Sequence, residues 1–309
     1  MLTCDTYLTP DTLEDALKEL STAPEGSRLL AGATDTLPWA RQGRAGDVAG
    51  DAHVPTLIDI SRIGELAGYT IDSGRVRMGA SLVFQQFLED ETLKQHLPPM
   101  PFCAIWFADD QIRRQATLAG NLANASPAAD GTPPMVALDG EVELARLDGD
   151  RVVRRTVSLD DFIAGPGKTT RTRDEIITAV ICDSLKGYGG SFEKVGQRRS
   201  LVISVVCATC CVKPSDDGTH FNDIRLALGG VGPVPMRLGD VEDFLRGKPI
   251  TADIITEAST LTAGRVASRT RREYREDVVR GFTERAIMDA LSDCGVSVSV
   301  SDMKEAAHG

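Results

Sequence analysis

Two glycine-containing turns carry the residue types best suited to holding a charged ligand. The first follows the short apolar run Leu29-Leu30-Ala31 and reads Gly32-Ala33-Thr34-Asp35. Glycine lets a backbone approach a phosphate, and successive N–H groups in such a turn can point at one anion. This turn contains neither Gly-x-Gly-x-x-Gly nor Gly-Lys-Ser/Thr. The turn therefore suits a phosphate site, and an ordinary strand-to-loop turn remains the alternative.

The second turn lies within Thr117–Asp130, a segment rich in hydroxyl, amide and carboxylate groups. Such groups are costly to bury without hydrogen-bond partners. A diphosphate with sugar hydroxyls would supply them: Thr117 and the amides of Gly120 and Asn121 could hold phosphate oxygens, and Asp130 could accept from a ribose or ribityl hydroxyl. The alternative is a polar loop whose own groups form hydrogen bonds with one another. Two such turns favour the ligand, because a diphosphate joining two bulky halves needs donors from both sides.

Composition limits the class of protein that could carry these turns. The 309 residues suggest two domains, or one with two lobes. A net charge of −11 disfavours nucleic acids and anionic membranes as partners, and 5% aromatic residues disfavour stacking of single strands. The apolar run Leu201 to Val212 is too short to span a bilayer, and residues 1–5 do not begin a signal peptide.

The cysteines favour a structural role over a metal site. Cys207 and Cys210 have the spacing of a metal or redox pair, but they lie with Cys211 in an apolar run flanked by valines. Small buried hydrophobic residues are the better interpretation. No second pair at ligand spacing completes a zinc or iron–sulfur site, so we expect no metal, and we expect a reducing, cytoplasmic location.

Secondary-structure patterns predict an α+β protein, because strands and helices do not alternate strictly. A helix is predicted from Pro10 with Thr9 as its cap, and another over Ser81–Leu97. Hairpins are expected at Tyr69–Ala80 and around Asp148-Gly149, a linker at Lys186–Gly190, a loop at Gly43–His53, and a loose tail from Val296 to Gly309. The region Phe107–Asp130 holds few apolar residues, and no element is predicted there. The predicted strands are Leu29–Ala31, Thr56–Ile60, Glu175–Ile181, Leu201–Val212 and Asp223–Leu228, and two helices follow them.

Together these motifs resemble the FAD-binding medium subunits of the molybdenum hydroxylases, which include carbon monoxide, xanthine and nicotine dehydrogenases. The family's Gly-Gly-Thr-Asp turn is matched by Gly32–Asp35, and its Thr-x-Gly-Gly-Asn and Ser-Pro-x-x-Asp segments by Thr117–Asn121 and Ser126–Asp130. Gly165–Thr169 matches a Gly-x-x-Lys-Thr segment, and Lys194–Arg199 a Lys-x-Gly-Gln-Arg-Arg segment. Ala119 stands where the family usually has glycine.

The resemblance implies FAD as the cofactor and assigns roles to individual residues. Asp130 would bind a sugar hydroxyl, Phe107 would line the cofactor cleft, Ile177 would be an apolar contact, and Lys194 would lie close to the flavin. No catalytic or metal-binding residue is implied. The residues expected to wrap the diphosphate are Leu29, Leu30, Ala31, Gly32, Ala33, Thr34, Asp35, Thr36, Thr117, Leu118, Ala119, Gly120 and Asn121.

The resemblance also implies an architecture and an assembly. A two-lobed FAD-binding domain of the PCMH type would occupy 1–182, with lobes at 1–57 and 58–182, followed by a smaller α+β domain at 190–292 and a tail at 293–309. The subunit would pass electrons from iron–sulfur clusters through FAD to an acceptor. Its partners would be a small [2Fe–2S] subunit and a large molybdopterin subunit, in a dimer of heterotrimers. The alternatives are a scaffold subunit without flavin chemistry and a free-standing flavin oxidase.

Overall fold

The structure, a computed structural model, describes residues 2–42, 52–198, 201–267 and 270–298. Its N-terminal part is a parallel three-stranded sheet in the order β1-β3-β2. The elements of this part are β1 (Leu2–Leu8), α1 (Leu13–Thr22), β2 (Arg28–Leu30), α2 (Thr36–Arg41) and β3 (Ala52–Asp59). Leu13, Ala16, Leu17 and Leu20 form the buried face of α1, as their helical spacing predicts.

A five-stranded antiparallel sheet follows in the order β4-β5-β10-β6-β7. Its strands are β4 (Tyr69–Asp72), β5 (Arg75–Gly79), β6 (Glu141–Asp148), β7 (Arg151–Ser158) and β10 (Ile176–Asp183), and β8 (Ile163–Gly165) and β9 (Lys168–Thr169) form a separate small ribbon. The helices of this part are α3 (Gln86–Glu89), α4 (Glu91–His96), α5 (Pro99–Trp106), α6 (Asp110–Arg113), α7 (Leu118–Ala123), α8 (Thr132–Ala137) and α9 (Leu159–Phe162).

The C-terminal part is a four-stranded antiparallel sheet in chain order, covered by helices. Its elements are β11 (Gly189–Val195), β12 (Val206–Pro214), β13 (Phe221–Gly229), β14 (Met236–Arg237), α10 (Gly239–Leu245), α11 (Ala252–Thr260) and α12 (Arg272–Asp293). The main hydrophobic core joins this sheet to the preceding part through Phe192, Cys207 and Cys211, and a second core packs the other face against α10–α12.

Several predicted elements are confirmed. Both hairpins form, and their turns lie at Ser73-Gly74 and Gly149-Asp150. The predicted strands of the first two sheets lie within or beside β2, β3 and β10, and the two C-terminal helices are α11 and α12. The three clustered cysteines are buried on β12, and burial raises the pKa of the Cys211 thiol to about 12.

Other boundaries were wrong for local reasons. The first helix begins at Leu13, not Pro10, because Thr12 rather than Thr9 caps it by accepting from the Asp15 N–H. The helix expected over 81–97 is divided into α3 and α4, where the Asp90 carboxylate caps α4. The region Phe107–Asp130, for which no element was predicted, contains α6 and α7, and β12 starts at Val206 rather than Leu201.

The predicted linker Lys186–Gly190 is wrong at its C-terminal end, since Gly189 and Gly190 begin β11. A Cβ at Gly189 would lie 2.1 Å from the Ala290 carbonyl oxygen, and one at Gly190 would lie 2.2 Å from the Pro98 carbonyl carbon. Glycine is required here because the strand is pressed between two layers, not because the chain is flexible.

The elements that were not predicted include β1, α2, α5, α8, α9, the ribbon of β8 and β9, β11, β14 and α10. Of the loop expected over 43–53, residues 43–51 lie outside the described residues and His53 belongs to β3. Residues 299–309 of the expected tail also lie outside them. No helix in the described ranges combines the length and apolar character needed to cross a bilayer.

Candidate functional site

A cleft of about 520 Å³ lies where the turn after β2 meets the start of α7. The two glycine turns singled out in the sequence therefore share one cavity. Of the predicted site residues, those that line it are Leu29, Ala31, Gly32, Ala33, Thr34, Asp35, Thr36, Phe107, Thr117, Ala119, Gly120, Asn121 and Ile177.

Gly32 allows the two turns to touch. A Cβ built on it would lie 1.9 Å from the carbonyl oxygen of Gln115, in the chain leading to Thr117. Any side chain at this position would push the two segments apart. Ala33 follows with φ of 54°, a left-handed conformation that L-residues adopt at a cost. The first turn therefore packs closely against the segment around Gln115.

The backbone N–H groups of the first turn are available to a ligand. Within the described part of the chain, the N–H groups of Gly32 through Thr36 donate no hydrogen bond. The turn passes into α2, whose first intrahelical bonds are donated by Leu37 to Ala33 and by Trp39 to Asp35. Consecutive unpaired N–H groups on such a turn suit an anionic oxygen.

The second turn differs in detail from the prediction. Thr117 caps α7: its Oγ1 accepts from the Gly120 N–H at 3.0 Å, and its carbonyl accepts from the Asn121 N–H at 3.0 Å. Both amides that were expected to hold phosphate are therefore engaged within the helix. The hydroxyl hydrogen of Thr117 stays available, and the Ala119 N–H has no partner among the described residues.

A direct hydrogen bond ties the two turns together. The Asn124 side-chain amide, just past α7, donates to the Asp35 carboxylate, and both residues line the cleft. Burial raises the pKa of Asp35 against the opposing effect of this bond. Sequence reasoning missed Asn124 as a cleft residue, although it lay inside the polar segment already marked.

Three arginines line the cleft, and sequence reasoning missed all of them: Arg28, Arg171 and Arg173. Arg171 donates to the Glu175 carbonyl at 2.7 Å, and Arg173 donates to the Ala23 carbonyl at 2.5 Å. Both guanidinium groups are held by carbonyl oxygens. The available signal was the basic run after the Gly165–Thr169 segment, whose Gly167 and Thr169 also line the cleft.

Phe107 and Ile177 form an apolar part of the wall. The Phe107 ring stacks on Phe84 with ring centroids 3.8 Å apart and planes 1° apart, which fixes its orientation. Ile177 is a buried residue of β10, the central strand of the five-stranded sheet. A flat apolar wall next to a polar turn matches a ligand with an aromatic ring system and a charged chain.

Four predicted site residues do not line the cleft. Leu30 and Leu118 point into the hydrophobic clusters behind the two turns. Asp130 and Lys194 are brought together instead: Lys194 Nζ lies 2.5 Å from Asp130 Oδ2, with both side chains more than nine-tenths buried. Ser204 Oγ donates to the other oxygen of Asp130 at 2.5 Å.

This buried pair nevertheless lies close to the cleft wall. Lys194 Nζ also donates to the carbonyl of Trp106 at 3.3 Å, and Trp106 directly precedes Phe107. Burial raises the pKa of Asp130, and the Lys194 ammonium and the Ser204 hydroxyl oppose that shift. The pair joins the second part of the chain to the third, because Asp130 precedes α8 while Lys194 belongs to β11.

Ala119, the departure from the family's glycine, fits its position. It lies inside α7 with a negative φ, and it belongs to the main hydrophobic core. The methyl group is therefore compatible with the local backbone.

The residues of the cleft fit FAD, the cofactor that the resemblance implies. Among its described lining residues, three guanidinium groups face one carboxylate, in a chain of net charge −11. The hydroxyl of Ser27, which also lines the cleft, is buried without a hydrogen-bond partner in the described part of the chain. Unpaired amides, an orphaned hydroxyl and local positive charge are what a sugar-bearing diphosphate requires.

Comparison with known proteins agrees with this chemistry. Residues 3–182 match the family described as FAD binding domain in molybdopterin dehydrogenase, and residues 191–290 match the CO dehydrogenase flavoprotein C-terminal domain. The chain is 30% identical over 292 residues to the putative xanthine dehydrogenase FAD-binding subunit XdhB of Escherichia coli (strain K12), covering 92% of this chain and 95% of that protein. It is also 30% identical over 293 residues to the nicotine 6-hydroxylase medium subunit of Paenarthrobacter nicotinovorans, covering 92% and 96%.

Solved structures show the same fold. A chain of carbon monoxide dehydrogenase from Hydrogenophaga pseudoflava superposes with a TM-score of 0.81 at 25% identity, covering 94% of this chain and 98% of that one. A chain of quinoline 2-oxidoreductase from Pseudomonas putida 86 gives 0.83 at 23% identity, over 94% and 97%, a likeness of fold alone. The chain therefore belongs to the FAD-binding subunits of the molybdenum hydroxylase family, and it is an oxidoreductase subunit whose cofactor is FAD.

Proposed function

We propose that this subunit carries electrons through FAD from an iron–sulfur donor to an external acceptor. Its partners in this proposal are a small [2Fe–2S] subunit and a large molybdopterin subunit, arranged as a dimer of heterotrimers in the cytoplasm. The names of similar proteins support such an assembly, since they are the FAD-binding subunit or medium chain of two dehydrogenases and the medium subunit of a hydroxylase. No group of three or more His, Cys, Asp or Glu side chains that could hold a metal ion lies among the described residues.

One observation carries the proposal: two turns far apart in sequence meet at one cleft. The N–H groups of Gly32 through Thr36 face it from one side, and Thr117 and the Ala119 N–H from the other. In the proposal these donors hold the diphosphate, and Arg171 and Arg173 supply positive charge beside it. Charge-assisted hydrogen bonds to phosphate are stronger than neutral ones, so this set dominates the affinity.

The remaining residues shape the flavin end of the site. FAD supplies reversible two-electron chemistry when bound, and negative charge accumulates on its ring on reduction. We assign Phe107 and Ile177 to the wall that excludes water from the ring. Lys194 is the cation that stabilises the negative charge, and Asp130 is the acceptor for a sugar hydroxyl. In the structure Lys194 and Asp130 form an ion pair with each other.

Removing the Thr117 hydroxyl tests the diphosphate assignment. We expect Thr117→Val to weaken FAD binding about tenfold to a hundredfold, because a hydrogen bond to a charged group contributes roughly 1.5–3 kcal/mol. Thr117→Ser, which keeps the hydroxyl, should bind FAD close to the wild-type level. Affinity is measured by titrating FAD into the flavin-free chain and following the quenching of flavin fluorescence.

Thr209→Val is the matched control. Its hydroxyl is fully buried in β12 and has no partner in the described residues, so its loss should leave FAD affinity unchanged and should not lower stability. Equal affinities for Thr117→Val and Thr209→Val would contradict the assignment of Thr117. A wild-type chain that is colourless and takes up no added FAD would contradict the whole proposal and favour the scaffold alternative.

A further inference from the structure

A buried arginine lies behind the aromatic part of the cleft wall. Arg113 ends the short helix α6, and only 9% of the residue is exposed. Burying a guanidinium group is unfavourable unless its donors are satisfied, and it carries five N–H groups in a rigid planar fork. The partners of Arg113 therefore indicate what its burial accomplishes.

Arg113 is hydrogen-bonded to the segments that carry both rings of the aromatic stack. Its Nη1 donates to the Phe107 carbonyl at 2.9 Å, and its Nε donates to Gln85 Oε1 at 3.2 Å. Gln85, also buried, donates its backbone N–H to the Arg113 carbonyl at 3.1 Å. Because Gln85 directly follows Phe84, Arg113 links the segment of Phe107 to the segment of its stacking partner.

The chain at Phe107 needs such support because the next residue is strained. Ala108 has φ of 47°, a left-handed conformation that is unfavourable for an L-residue. Backbone of this kind persists only where surrounding contacts hold it. Arg113 binds the carbonyl of Phe107, and Lys194 donates to the carbonyl of Trp106 at 3.3 Å. The peptide groups on both sides of Phe107 are therefore held by cationic side chains.

Arg113 does not itself line the cleft, whereas Phe107 does. The Arg113 guanidinium also contacts Asp110 at 3.0 Å, and the Asp110 side chain is mostly exposed. The contact with a bound cofactor is thus made by the Phe107 ring, and Arg113 stands one step behind it.

We propose that Arg113 is a positioning residue that fixes the Phe107 ring in the wall against FAD. Phe84 packs on the ring at a centroid distance of 3.8 Å, and Arg113 holds the backbone that carries it. A wall that is already rigid loses less conformational freedom when the ligand binds. This inference rests on the proposed function, in which Phe107 belongs to the wall that excludes water from the flavin ring.

A double-mutant cycle tests whether Arg113 acts through Phe107. FAD is titrated into the flavin-free forms of Arg113→Met, Phe107→Leu and the double variant. We expect each single variant to bind FAD about tenfold more weakly, because a lost hydrogen bond or a lost aromatic contact has roughly that effect. The double variant should bind within about twofold of Phe107→Leu, because without the ring Arg113 has nothing left to position.

Arg114→Met is the matched control. Arg114 is the next residue in the chain, is mostly exposed, and contacts Glu89 at 3.2 Å and Asp110 at 3.7 Å. The substitution removes the same charge from almost the same place, so an effect of charge alone would appear here as well. We expect FAD affinity within about twofold of wild type, because exposed ion pairs contribute little.

The outcomes separate the two proposals. A wild-type chain that takes up no FAD would contradict the proposed function. Unchanged affinity in Phe107→Leu would contradict the assignment of Phe107, and the positioning role would fall with it. Weakened binding in Phe107→Leu with unchanged affinity in Arg113→Met would overturn the positioning role alone. So would losses that multiply to about a hundredfold in the double variant, because Arg113 would then act independently of the ring.

A second cycle covers the case in which Arg113→Met lowers the unfolding temperature. Arg113→Lys keeps the charge and the long side chain, but an ammonium group lacks the planar fork that reaches both Phe107 and Gln85. We expect weaker FAD binding in Arg113→Lys and no further loss when it is combined with Phe107→Leu. Losses that multiply in this cycle would again overturn the positioning role.

Discussion

Single residues near the cleft differ in backbone state in ways that their identities do not reveal. Ala33 and Ala119 both replace glycines of the family pattern, yet Ala33 is left-handed at φ of 54° while Ala119 lies within α7. Ala125, at the end of the polar segment, is also left-handed at φ of 44°. Strained backbone of this kind is common where loops surround a ligand.

The two alanines should respond oppositely to glycine. We expect Ala33→Gly to raise the free energy of unfolding by about 1 kcal/mol, because glycine adopts positive φ without a Cβ clash. Ala119→Gly should lower it by about 1 kcal/mol, because glycine is the weaker helix former. Urea unfolding of the flavin-free chain measures both. A shift of the same sign in the two variants would show that the left-handed assignment of Ala33 is wrong.

At the level of elements, β11 lies between two layers of the molecule and packs on both of its faces. Ser191 faces α12, where its hydroxyl donates to the Ala286 carbonyl at 2.7 Å. Phe192 and Lys194 face the other way, into the main core and onto Asp130. Strand alternation therefore assigns odd-numbered residues to α12 and even-numbered ones to the FAD side.

Glu193, on the α12 side of β11, should make stability depend on pH. Burial and the neighbouring Asp289 carboxyl raise the pKa of Glu193 to about 7, opposed by Arg285, which lies 3.1 Å away. An acid whose pKa is raised on folding costs no stability below its unfolded value of 4.5, and its cost grows until the pH exceeds the folded value. We expect Glu193→Gln to stabilise the chain by about 1–2 kcal/mol at pH 8, after allowance for solvent screening, and to have little effect near pH 4.5.

Thermal unfolding across that pH range measures the difference between Glu193→Gln and wild type. Glu273→Gln, on the exposed first turn of α12, makes the same change outside this cluster and should show no such trend. A stabilisation by Glu193→Gln that is equal at pH 4.5 and pH 8 would argue against titration of Glu193 as its cause.

At the scale of the whole molecule, arginines of the C-terminal sheet bind carboxylates of the FAD-binding part. Arg225 of β13 contacts Asp139 at 2.8 Å and Asp183 at 2.9 Å, and Arg237 of β14 also contacts Asp139 at 2.8 Å. Arg75 donates to Asp183 from the opposite side at 2.7 Å. Arg225 is mostly buried, so this network is less screened than a surface ion pair.

Arg225→Ala should weaken the contact between the two halves. We expect a loss of about 2–3 kcal/mol, because Asp183 and Asp139 each lose a partner in a partly buried site. Urea unfolding should become broader or split into two steps. Arg272→Ala removes an exposed pair with Glu276 on α12 and should cost less than about 0.5 kcal/mol. Equal losses for the two variants would contradict the structural role of the network.

Local sequence patterns were sufficient to identify the family, the cofactor and the elements with strong periodicity. The hairpins at 69–79 and 141–158 and the buried face of α1 were recoverable because alternation, turn residues and helical spacing operate over a few neighbouring positions. The two glycine turns were recoverable for the same reason, since each is a continuous run of residues.

Several pairings near the cleft depend on contacts between distant parts of the chain. The Arg173 side chain and the Asp130–Lys194 pair have partners far away in sequence, whereas the Gly120 and Asn121 amides and Arg171 are paired within their own segments. Gly189 and Gly190 looked like a linker because a sequence does not show what presses against a glycine. Close approach of distant backbone segments leaves no periodic pattern in the sequence, so only the folded chain shows which donors line the cleft.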